Sequence, residues 1–118
     1  MLVKMDCVNA SSGGWKHIST VYDTTQTSTT FDLNNLSIGK VYHLFVTNAG
    51  SSVENAITNA TLAISSGASN LTIDSTEGFA GTGTYYSSIV HHTFTATAST
   101  VSFTKGNQRR LGYMLFEE

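Results

Sequence analysis

Phe94-Thr95-Ala96-Thr97-Ala98-Ser99-Thr100-Val101-Ser102-Phe103 is the stretch on which the fold turns. Apolar and hydroxylated residues alternate along it, which places small polar side chains on one face of a pleated strand and aliphatic or aromatic ones on the other. Thr and Ser make up 33 of the 118 residues and proline is absent, so the same texture runs through the rest of the chain. A period of two over most of the sequence predicts an all-β protein with at most one short helix.

Working outward, clusters of Gly, Asn and Ser punctuate the chain at 11–14, 34–35, 39–40, 49–50, 65–67, 78–83 and 105–107. The intervening segments predict strands near 1–8, 15–22, 28–33, 40–48, 60–65, 70–74, 85–98, 100–104 and 109–117. No internal repeat or linker tract interrupts them, so residues 1–118 are read as a single β-sandwich domain. Strand 40–48 carries Tyr42, Leu44 and Val46 on one face and Val41 and Phe45 on the other. In 109–117, Leu111, Tyr113 and Leu115 oppose Met114 and Phe116. A two-layer sandwich covers one face of each sheet, so the second apolar face predicts a subunit contact and a homo-oligomer. Segment 51–64 reads two ways. Val53, Ala56, Ile57, Ala60, Ala63 and Ile64 fall at helical spacing behind Ser51-Ser52, a candidate N-cap, whereas Val53 to Ile57 also alternates as a strand would.

Composition excludes several functions. Cys7 is the sole cysteine, so neither an intrachain disulfide nor a thiolate-built zinc site can form. A formal charge of −2 with six Lys and Arg is too little positive charge to hold a nucleic acid. Lys105, Arg109 and Arg110 gather at one turn and are read as a solvated edge. The longest apolar run, Tyr113-Met114-Leu115-Phe116, is too short to cross a bilayer, and the N-terminus lacks the pattern of a secretory signal. No membrane insertion is expected of a product made in the cytoplasm.

No catalytic set is recognisable: the carboxylates are scattered, and no nucleophile elbow or P-loop is present. A non-catalytic role without a cofactor is expected. The glycine-rich run from Gly78 to Gly83 reads as a loop. His91 and His92 are adjacent, and adjacent side chains on a strand point to opposite faces, so they cannot share one ion within a chain. No metal site is therefore expected, unless one His from each copy meets at an oligomer axis. Trp15, Tyr85 and Tyr86 are the candidates for carbohydrate binding, because an aromatic ring packs on the C–H face of a sugar. The competing reading of Trp15, as the only Trp of a sandwich, is a core side chain.

Leu36-Ser37-Ile38-Gly39-Lys40-Val41-Tyr42 has the L-x-x-G-x-x-Y spacing of a tyrosine corner, in which a turn feeds a strand and the Tyr hydroxyl returns to nearby backbone. Over 28–48 it resembles the entry to the penultimate strand of fibronectin type III domains. Taken with Gly14-Trp15, His92 to Phe103 and the closing strand Gly112 to Phe116, it is similar to the galactose-binding-like jelly roll of carbohydrate-binding modules. That style of jelly roll also occurs in bacteriophage fibre, tail and capsid-decoration proteins. The resemblance implies a jelly-roll-like antiparallel β-sandwich. It further implies a structural or adhesion protein of a phage virion, a homotrimer or part of a larger assembly, contacting other virion proteins and, in an adhesion role, surface glycans. The alternative it implies is a carbohydrate-binding module.

Overall fold

Alternation along β3 (Val41–Gly50) sets the layering: Tyr42, Leu44, Val46 and Asn48 are buried on its inner face, while Val41, Phe45, Thr47 and Ala49 face outward. The computed structural model describes residues 14–24, 29–80, 86–105 and 111–118. The strand expected at 1–8, Cys7, Tyr85, Arg109 and Arg110 lie outside the described residues. The other elements are β1 (Lys16–Thr24), β2 (Thr30–Leu33), α1 (Val53–Ala60), β4 (Ala63–Ser66), β5 (Ala68–Ala80), β6 (Tyr86–Ala96), β7 (Val101–Thr104) and β8 (Leu111–Glu117).

The strands form a five-stranded sheet, β1-β8-β3-β6-β5, and a three-stranded sheet, β2-β7-β4. All pairings are antiparallel. First pairs with eighth, second with seventh and third with sixth, the nesting of a long hairpin rolled into two layers, a jelly-roll-like plan that departs from a jelly roll in placing β5 beside β6 rather than β4. Between the layers, Phe31, Leu33, Val101 and Phe103 of the small sheet meet Leu44, Val46, Val90, Phe94 and Leu115 of the large one. Each buried aliphatic or aromatic side chain contributes roughly 1.5–3 kcal/mol.

The small sheet does not cover the whole inner face, and α1 closes the remainder. Of the two sequence readings of 51–64, the helical one holds over Val53–Ala60. Ser52 is the N-cap, its hydroxyl accepting from the Asn55 N–H at 3.0 Å. Ala56, Asn59 and Ala60 are buried against the sheet. Polar groups trapped at the seam are satisfied in pairs. Asn48 Nδ2 donates to Asn59 O at 2.9 Å, Asn59 Nδ2 donates to Ala49 O at 2.8 Å, and Ser88 Oγ donates to Ala56 O at 2.6 Å.

The tyrosine corner is formed. The Ser37 N–H donates to the Tyr42 hydroxyl at 2.8 Å, and that hydroxyl donates to Glu117 Oε2 at 2.9 Å. Gly39, at φ 88°, supplies the left-handed residue of the turn closed by Lys40 N–H to Ser37 O.

Two expectations are corrected. Gly78 to Ala80 are strand, the end of β5, rather than loop: a Cβ at Gly78 would run into Val53 of α1, so this glycine serves packing. Lys105 is 5% exposed instead of solvated, and burial lowers the pKa of its ammonium. The strand expected at 85–98 runs without interruption over Tyr86–Ala96. No helix among the described residues is long and apolar enough to cross a membrane.

Candidate functional site on the outer face of the large sheet

Register brings chemistry together here that lies far apart in sequence. In the β3–β6 ladder His43 pairs with Thr93 and Phe45 with His91, so His43 and His91 are diagonal neighbours on the outward face. Their rings meet with His43 Nδ1 3.0 Å from His91 Nε2. Asp74 reaches the same point from β5, next to a register shift between Ile73 and Ser75, and its Oδ2 lies 3.4 Å from His91 Nε2. The donor atoms of His43, His91 and Asp74 all lie within 4.8 Å of one another.

Each member is held by a neighbour. Thr93 Oγ1 donates to Asp74 Oδ2 and lies 3.2 Å from His43 Nδ1, while Thr72 Oγ1 donates to Asp74 Oδ1 at 2.8 Å. These hydroxyls, Thr93 first, hold the Asp74 carboxyl below the usual carboxylate range. Burial pushes the His91 imidazole below its ordinary value, opposed by the Asp74 charge. The far nitrogen of His43, Nε2, lies 3.1 Å from Glu118 Oε1.

Trp15 roofs this cluster. Its indole stacks on His43 at 3.6 Å between centroids and 12° between planes, and it lies tilted against Phe45, His91 and Phe116. Phe45 in turn stacks on His91 at 4.2 Å. At 46% exposed, Trp15 is on the outer surface, which corrects the core reading. Beyond Phe45 the face turns apolar: Tyr22, Phe45, Ile89 and Met114 border an open groove of about 300 Å³ whose floor includes Gly112.

Of the sequence candidates for sugar stacking, Trp15 sits on this face and Tyr85 is outside the described residues. Tyr86 shares the inward alternation of Ser88 and Val90 and pairs with Gly50. Seven residue steps along β3 separate Gly50 from His43, roughly 23 Å at strand rise. The structure therefore does not bring Trp15 and Tyr86 to one site.

His91 and His92 do point to opposite faces, as adjacency requires. His92 is buried inside, with Nε2 3.3 Å from both the Leu62 N–H and Ala60 O, and desolvation lowers its pKa. Sequence reading weighed the histidines along the chain and so missed the pairing of His91 with His43. Outward parity of His43 beside Phe45 was the available signal, but only the ladder register completes it. No protein-family model, curated protein or solved structure gives a significant match to this chain.

Proposed function

We propose that this protein is a non-catalytic assembly subunit, a structural or adhesion component of the kind found in bacteriophage fibres, tails and capsid coats, and that copies associate through the outer face of the large sheet. The observation that carries this reading is the apolar groove on that face. Tyr22, Ile89 and Met114 remain exposed around it, with Met114 at 43%, where an isolated sandwich would place polar side chains. A second copy supplies a matching apolar surface by symmetry, without further sequence.

Sedimentation of the wild-type chain and of Met114→Glu tests it. The wild type should associate at micromolar concentration, and the variant should fall to monomer with its melting temperature nearly unchanged. A monomeric wild type overturns self-association. The second reading, glycan binding, rests on the exposure of Trp15 beside His43, Asp74 and Glu118. It requires that Trp15→Ala abolish retention on a glycan array while the fold is kept.

A further inference from the structure

We propose that His43, His91 and Asp74 form a binding site for one divalent zinc ion on the outer face of the large sheet. The inference stands apart from the assembly reading, since it needs only one chain. A tetrahedral zinc ion with bonds of 2.0–2.2 Å sets its donor atoms about 3.3–3.6 Å apart. His43 Nδ1 to His91 Nε2 is 3.0 Å and His91 Nε2 to Asp74 Oδ2 is 3.4 Å, close to that spacing, and all three donors lie within 4.8 Å of one another.

Orientation supports the same conclusion. Metal-bound imidazoles commonly hand their other nitrogen to a carboxylate, which fixes the tautomer and sharpens the ligand. Glu118 occupies that place on His43 Nε2 and turns the Nδ1 lone pair toward the cluster. Both rings are clamped by stacking, His43 under Trp15 and His91 against Phe45, so little side-chain freedom is left to lose on binding. With the His43 proton directed at Glu118, a single N–H on His91 Nε2 faces two acceptors, His43 Nδ1 and Asp74 Oδ2. A cation at their centre satisfies all three donors together. Two imidazoles and one carboxylate suit zinc better than calcium or magnesium, which favour all-oxygen shells. Three protein ligands leave the fourth tetrahedral position to water or an added ligand. The ion would tie β3, β5 and β6 together.

The test is calorimetric titration of zinc chloride into tag-free, chelator-stripped protein, paired with cobalt(II) substitution read by visible absorption. One zinc per chain and intense tetrahedral cobalt bands are expected. His91→Ala and Asp74→Asn should each weaken binding at least about tenfold, and Glu118→Gln by about 10–100-fold. His17→Ala, an exposed imidazole bonded to Thr20 and outside the cluster, should leave binding unchanged. Circular dichroism checks that each variant folds, and the wild-type cobalt spectrum stands alone if one does not. Absence of zinc heat and of tetrahedral cobalt bands in the wild type overturns the site, as does an equal loss on His17→Ala.

Discussion

His92 shows how one side chain sets a condition on the whole fold. Its ring lies in the core beneath α1, and Nδ1 makes no well-formed hydrogen bond. Burial favours the neutral form, so the folded pKa lies below the 6.5 of an exposed imidazole. Below about pH 6.5 the unfolded chain takes up a proton that the folded chain refuses. Stability is therefore full above that value and declines as pH falls toward the folded pKa, with a slope approaching about 1.4 kcal/mol per pH unit for one group. Urea melts in chelator at about pH 7.5 and about pH 5 should show this loss, and His92→Gln should reduce it. Identical pH dependence of the two proteins would place the effect elsewhere, His91 being the other imidazole with a lowered pKa.

At the scale of elements, the seam between α1 and the large sheet depends on close backbone approach. A Cβ at Gly50 would lie 2.5 Å from the Ala56 nitrogen and 2.8 Å from its Cα, both backbone atoms that cannot swing aside. Gly50→Ala should cost about 1–3 kcal/mol in chemical denaturation. Gly14→Ala, where the new methyl meets open space, should change stability by less than about 0.5 kcal/mol. A neutral Gly50→Ala would mean that the helix can lift away freely. Such glycines also explain which parts of the fold the sequence made legible. Alternation in 40–48 and 94–103 revealed the strands because their inner faces are apolar but for Asn48, and Ser51-Ser52 marked the helix start. Gly78 resembled a loop signal because composition cannot tell a glycine that turns the chain from one that makes room for Val53.

For the whole molecule, strand content and the two-layer plan were readable, whereas ladder register was not, because it depends on which distant alternations face each other. The His43–His91–Asp74 cluster is a product of register, assembled from three strands, and so stayed out of reach, while exposed Trp15 was at least a candidate. The nested pairing also has a consequence for biosynthesis. β3 is flanked by β6 and β8, and among the described strands β1 pairs with β8, the last of them in sequence. Loops this long must close before the pairings reward them, so folding should be slow for a chain of this size. The large sheet cannot be completed until β8 has left the exit tunnel, so one edge of β3 stays unpaired until then. Nascent chains arrested with β8 still in the exit tunnel should be cut readily by protease, and released chains should resist. Resistance in the arrested chain would show that a protected fold forms without β8.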